Sequence, residues 1–224
     1  MIVRSILLTI TANVLLCLPA YAQSNYYVET PKVFNGGLVA GANFTQVDGD
    51  TFYGYHKVGL TAGGVVYIRF SETLGAAMEL YYTQKGSRGE VVSNSQNIGE
   101  YVEKYFMNLN YVEVPLTLHV KSTFKSHAVY FEGGLSYAYL IKSSEYVQAD
   151  QPVIIDPVLN RFNNTDFDYI LGICMNLHKK LYADVRYQYS IFEIRPSDRV
   201  PLGYGYGNTG QFNNMFSLRF MYLF

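Results

Sequence analysis

Eight ionisable residues hold most of the chemistry open to this chain: Arg69, Glu79, Glu113, Glu132, Asp168, Asp184, Arg186 and Arg219. Each lies in a stretch where apolar and polar residues alternate, and each falls on the polar beat. Carboxylates and guanidinium groups facing one interior could line an ion-conducting path. They could also neutralise one another and fill it. An unpaired buried charge costs several kcal/mol, which favours the paired, structural arrangement.

Other polar constellations are weaker. The histidines His56, His119, His127 and His178 show no His-x-x-x-His or comparable ligand spacing, so no metal is expected. His56 is close in sequence to Asp48 and Asp50, as a loop-sited hydrolase would require. A nucleophile–base pair, however, is defined by hydrogen-bond geometry, which spacing does not supply. Gly205, Gly207 and Gly210 match a dinucleotide pattern by letter, but that pattern belongs between a strand and a helix of a parallel unit. Asp48-Gly49-Asp50 reads as a tight turn before it reads as a calcium loop. No catalytic residue, cofactor or metal is expected, and the chain is read as not an enzyme.

The elements that must position the eight charges are strands. Phe216, Leu218, Phe220, Tyr222 and Phe224 fall on one face, with Ser217, Arg219, Met221 and Leu223 on the other. The same beat places Leu38, Ala40, Ala42 and Phe44 together, then Val58, Leu60, Ala62, Val66 and Ile68. It recurs at Met78, Leu80 and Tyr82, at the even positions from Val112 to Val120, and at Val129, Phe131, Leu135, Tyr137 and Tyr139. Phe167 to Met175 and Ala183 to Tyr189 complete the set, again on alternate residues. About eight strands result, each long enough for the ~9–11 residues that cross a bilayer at a tilt. The opposite face holds the charges, hydroxyls and many glycines, as the narrow bore of eight strands demands. Pro115 interrupts one strand and cannot donate to a ladder, so a bulge is expected there.

A lipocalin-like barrel would turn its apolar face inward, and a sandwich would bury it between sheets. Connection lengths separate these from a membrane barrel. The connections at Val47–His56, Gly86–Tyr105, Lys142–Thr165 and Glu193–Gln211 are long, whereas those at Ser71–Thr73, Ser122–Ser126 and Lys179–Lys180 are short. Strict alternation of long outer loops and short periplasmic turns is the layout of an outer-membrane barrel. Phe44, Tyr82, Tyr137, Tyr139, Phe167, Tyr169, Tyr187, Tyr189 and Phe216 fall near the long loops on the apolar face, with Tyr222 and Phe224 at the other rim. Such belts suit rings with an apolar body and a polar edge.

The N-terminus and the composition agree. Arg4, the apolar run Ile6 to Leu18 and Ala20-Tyr21-Ala22 form a secretory leader, with residues 1–22 removed, 23–34 a periplasmic segment and 35–224 the barrel. Leu16 before Cys17 argues against a lipoprotein. Outside the leader only Cys174 remains, so no internal disulfide is available. Charged residues make up 16% of the chain, below the ~25% usual in soluble domains, and no run of ~20 apolar residues offers a helical span. Seventeen basic residues nearly balance eighteen acidic ones, which gives no footprint for nucleic acid.

Three runs then carry a likeness: Gly41-Ala42-Asn43-Phe44 with Asp48-Gly49-Asp50, Glu79-Leu80-Tyr81-Tyr82-Thr83-Gln84-Lys85-Gly86-Ser87, and Tyr111-Val112-Glu113-Val114-Pro115-Leu116. With these the chain resembles the PorT-like outer-membrane β-barrel family of Bacteroidota over nearly its whole mature length. The resemblance implies an outer-membrane barrel, some relatives of which support protein secretion and gliding. It carries no catalytic motif. The combined expectation is an all-β, closed, antiparallel eight-stranded transmembrane barrel in the bacterial outer membrane. Its partners are the membrane lipid and a protein at the periplasmic or extracellular face. It serves as a structural or interaction scaffold through its outer loops, with a small pore or a loop-sited hydrolase as alternatives.

Overall fold

A computed structural model describes residues 34–95, 99–124, 127–149 and 155–224. These residues form eight strands: β1 (Phe34–Asp48), β2 (Lys57–Arg69), β3 (Leu74–Ser95), β4 (Gly99–Phe124), β5 (His127–Gln148), β6 (Thr165–His178), β7 (Leu181–Ser190) and β8 (Phe212–Leu223). Every neighbouring pair is antiparallel, and β1 meets β8 from Gly37↔Leu223 to Asp48↔Phe212, so the sheet closes on itself. The expected leader, 1–22, and most of the expected periplasmic segment, 23–34, fall outside the described residues. Phe34, placed in that segment by sequence, begins β1.

The two-residue beat sorts the side chains as expected. On β8, Leu218 is 45% exposed while Ser217 and Arg219 are 4% and 1% exposed. Leu116 and Leu135 are each 60% exposed on the outer wall. An apolar belt of this extent around a closed sheet is suited to hydrocarbon and unsuited to water. Above it the aromatic rings touch from strand to strand, Tyr187 with Phe216 at 5.0 Å and Tyr137 with Phe167 at 5.1 Å between centroids. Inside, small residues make the room that large ones use. A Cβ on Gly41 would lie 2.7 Å from Arg219 Cγ and 2.4 Å from the Leu218 carbonyl oxygen.

Two expectations need correction. The ladder keeps its register through Pro115, which sits opposite Ser136 on β5, and the bulge lies instead between Asn110 and Tyr111. Strand residues aim their N–H groups alternately at the two neighbours, so one proline removes a bond on one side only. On the β3 side pairing lapses between Met78↔Leu116 and Tyr81↔Glu113 and resumes unshifted. The second correction concerns Gly86–Tyr105, read as a loop. It is mostly ladder, since β3 and β4 pair out to Ser95↔Gly99 and β5 follows to Lys104↔Gln148. Beyond a bilayer neither face has to be apolar, so the alternation fades while the backbone pairing continues.

The loop between β7 and β8 is not free either. It carries a 3-10 turn at Ser197–Arg199 and two bridges, Arg195↔Gln211 and Asp50↔Gly205. Gly49 makes the last possible: its φ is +92°, and a Cβ there would meet the Gly210 carbonyl oxygen at 2.2 Å.

Candidate functional site: a charged bore beneath an aromatic cap

Strand alternation turns every second residue of each strand into a bore only wide enough for side chains to fill. The deepest charged layer is built on two arginines. Arg186 of β7 donates through Nη2 to Glu79 Oε1 at 2.6 Å and through Nε to Glu132 Oε2 at 2.7 Å. Arg219 of β8 donates through Nη1 to Glu79 Oε2 at 2.7 Å and grips Asp184 through Nε and Nη2, both at 2.8 Å. The fork of a guanidinium suits this two-sided bridging, and β3, β5, β7 and β8 are thereby tied across the bore.

A second layer centres on Lys85. Its Nζ lies 2.6 Å from Asp168, 3.1 Å from Asp166 and 3.3 Å from Glu113. Gln188 donates to Asp168 at 2.9 Å, and Asn213 donates to Asp166 at 2.8 Å. Beside these layers a neutral cluster links Asn43 to Thr61 at 2.7 Å and to Thr83 at 2.9 Å, and Ser217 donates to Asn43 at 3.0 Å. In the two charged layers six carboxylates meet three cations, and Glu132 Oε1 and Asp166 Oδ1 find no donor among the described residues. Neutral donors take up part of the excess, Ser136 adding a bond to Asp168 at 3.2 Å.

Seven of the eight sequence-identified charges therefore enter the bore in two groups. Glu79, Glu132, Asp184, Arg186 and Arg219 share one, whereas Glu113 and Asp168 share the other. Arg69 joins neither; it is exposed at the short-turn end of β2, where the bore opens. The sequence reading missed Lys85 and Asp166. Lys85 was within reach, since it continues the beat of Glu79, Tyr81 and Thr83, and Asp166 stands two residues before Asp168.

Over the outer mouth the loops fold inward. Phe52 stacks on Tyr105 at 4.9 Å, and Tyr105 on Tyr204 at 5.1 Å. Val47, Met107, Leu109, Phe162 and Ile194 are buried with them. Arg195, wholly buried, donates from Nη1 and Nη2 to Glu145 at 2.6 and 2.8 Å, and lies 4.2 Å from the Phe162 ring centroid. Tyr105 also donates to Glu145, and Tyr204 to Glu103. No periodicity announces this cap, because its residues come from separate loops and strand extensions.

Asp50 lies at the edge of the cap, 3% exposed, and its Oδ1 accepts the Phe52 amide at 2.8 Å. Burial pushes its carboxyl up to about 7, against hydrogen bonds from Ser87 and the Phe52 amide and the nearby Arg195 charge, with Asp48 adding to the rise. A raised folded pKa means that the folded cap holds the proton more tightly than the open chain does. Its contribution is therefore fully present below about 4 and lost as pH rises through about 7. Amide exchange of the β1–β2 loop should accelerate between pH 6 and 8 beyond the intrinsic rate, and Asp50→Asn should abolish that excess. An identical pH profile in Asp50→Asn would refute the assignment.

The other sequence constellations separate in space. His56 is exposed and hydrogen-bonds to neither Asp48 nor Asp50. Asp48 instead accepts Gln46 at 2.7 Å and Asn214 at 3.0 Å. Gly205, Gly207 and Gly210 lie in the β7–β8 loop with no helix after them. His119 is buried in the bore against Thr117, 2.9 Å away, with its ring edge-on to Tyr67.

Residues 21–195 match the family described as outer membrane protein beta-barrel domain. No curated protein matches the chain in sequence. Among solved structures, the attachment invasion locus protein Ail of Yersinia pestis is similar at 12% identity, over 85% of this chain and 98% of Ail, with a TM-score of 0.42. The outer membrane protein AlkL in DMPC bilayers is 16% identical over 90% of this chain and 96% of AlkL, with a TM-score of 0.37. The translocator domain of the autotransporter NalP from Neisseria meningitidis is 12% identical over 85% of this chain and 88% of that domain, with a TM-score of 0.28. A closed antiparallel barrel with a greasy outer wall and a matched family places the protein in the bacterial outer membrane, and the chain belongs to the outer membrane protein beta-barrel domain family.

Proposed function

We propose that the protein is a non-conducting, non-enzymatic outer-membrane scaffold that presents its extracellular surface to a partner. One observation carries the reading: the bore is filled by two layers of paired charge, and its outer mouth is covered by the Phe52, Tyr105 and Tyr204 stack. The charge layers act as structural fill that braces opposite walls. The cap in turn makes the loop surface a fixed platform, and fixed loops on a stiff frame are suited to binding. Exposed side chains on that platform include Tyr53, Tyr206, Val158, Leu159 and Leu202. The kinship to PorT-like proteins, and with it a role beside protein secretion, is supported by the three sequence runs that carry the likeness, the Gln-Lys-Gly-Ser and Glu-x-Pro-Leu runs above all. Of these, Lys85 and Glu113 meet in the bore, so that part of the likeness marks the fill.

Purified protein in a planar bilayer should show no steady conductance at moderate voltage. Well-resolved unitary steps would overturn the filled-bore reading and favour a small pore. Crosslinking in intact cells, with wild type beside a variant carrying Tyr53→Ser, Leu202→Ser and Tyr206→Ser, should lose one set of neighbours in the variant. Unchanged neighbours would remove the platform.

A further inference from the structure

The opposite end of the bore is built differently. The short turns leave it open as a cavity of about 200 Å³, lined by Tyr67, Arg69, Tyr130, Lys179, Lys180 and Tyr182 around a floor of Met221 and Leu223. Its charged side chains are all cationic. Among the described residues none of the three is in an ion pair, and none of the three phenol groups hydrogen-bonds to another residue. Glu72 lines the adjoining cleft without pairing to Arg69. The phenols and the cations together form a ring of donors around an apolar floor.

We propose that this periplasmic mouth binds a small organic anion, with its carboxylate or phosphate between Arg69, Lys179 and Lys180 and an aromatic or short aliphatic body against the tyrosines. The volume holds roughly seven waters at ~30 Å³ each, so the body is about the size of one ring. Phenol rings offer flat apolar faces with a polar rim, which fits such a body. Arg69, Lys179 and Lys180 stand at the mouth, whereas the bore behind it is filled by enclosed side chains, so an anion is held at the entrance with no room to pass inward. The site is therefore a receptor and not the start of a path.

Benzoate and its neutral counterpart benzyl alcohol test the proposal on the full barrel in phosphatidylcholine nanodiscs, by the amide shifts of Tyr130 and Tyr182. Benzoate should titrate both to saturation and benzyl alcohol should bind far more weakly. Arg69→Gln and Lys180→Gln, both at exposed positions, should each weaken benzoate by about two- to fivefold, the range of solvent-exposed ion pairs. Lys142→Gln, at the far end, should leave it unchanged. Repeating the titration in phosphatidylglycerol discs separates the two sources of the anion. Retained benzoate affinity points to a free solute, and competitive loss points to a lipid headgroup phosphate in the same site. Equal binding of the acid and the alcohol, or unchanged affinity in both charge variants, would overturn the proposal.

Discussion

Arg219→Met lowers the unfolding free energy of the barrel in lipid by about 3–5 kcal/mol, the cost of stripping one partner from a buried ion pair. Arg219 alone holds both oxygens of Asp184 and shares Glu79 with Arg186, and all four side chains are fully enclosed. Methionine fills the space but leaves Asp184 facing only the distant edge of Arg186, at 3.9 Å. Adding Asp184→Asn removes the orphaned charge and should restore a substantial part of the loss. Urea titrations of the three proteins in the same lipid give both numbers. A loss below about 1 kcal/mol for the single variant would mean that the pairs are hydrated and carry little of the fold.

Leu218→Arg is the second large effect. Leu218 lies on the outer wall between the ring of Phe216 and that of Tyr222, opposite Ala42 and Val185 in the neighbouring strands. A guanidinium at the middle of a barrel's lipid face costs about 2–4 kcal/mol. Ser217→Arg one residue away meets a different problem. Ser217 is enclosed, donates to Asn43 and sits opposite Arg186, so the longer side chain overfills the bore beside an existing cation. Overpacking of that kind costs about 1–3 kcal/mol, and it should not depend on the lipid. Measured in short- and long-chain lipids, the Leu218→Arg loss should vary with bilayer thickness and the Ser217→Arg loss should not. Equal, negligible losses would reverse the assignment of the two faces.

The wall was legible in the sequence because lipid dictates it. Each outward residue between the aromatic rings has to be apolar, so Val112, Val114, Leu116, Leu118 and Val120 announce their face without help from the rest of the chain. The charges opposite them were legible for the same reason, by default of the beat. What they touch was not. Whether Glu113 meets an arginine or Lys85 depends on the stagger of strands around the closed sheet, and that stagger is a property of all eight pairings together. Arg69 shows the converse: it keeps the inward beat yet lies past the end of the packed bore, where parity no longer means enclosure. The cap escaped altogether. Phe52, Glu145, Arg195 and Tyr204 come from three regions with no common period, and only the closed rim brings them within reach of one another. Pro115 misled because a missing donor was equated with a shift in register, whereas an unshifted ladder can drop one bond on one side.

One consequence follows from which strand holds Arg219. The first and last strands meet at a single seam, and the cation that completes the deepest cluster rides on the last one, reaching across to Glu79 of the third. Peeling that seam apart would carry Arg219, together with Asp184 of the adjoining seventh strand, away from Glu79 and leave that acid exposed to hydrocarbon. Electrostatics thus acts as a latch on the junction between the chain's two ends. A wall fastened in this way is a poor sideways exit for lipid or peptide, and anything the protein engages must arrive from above or below the membrane.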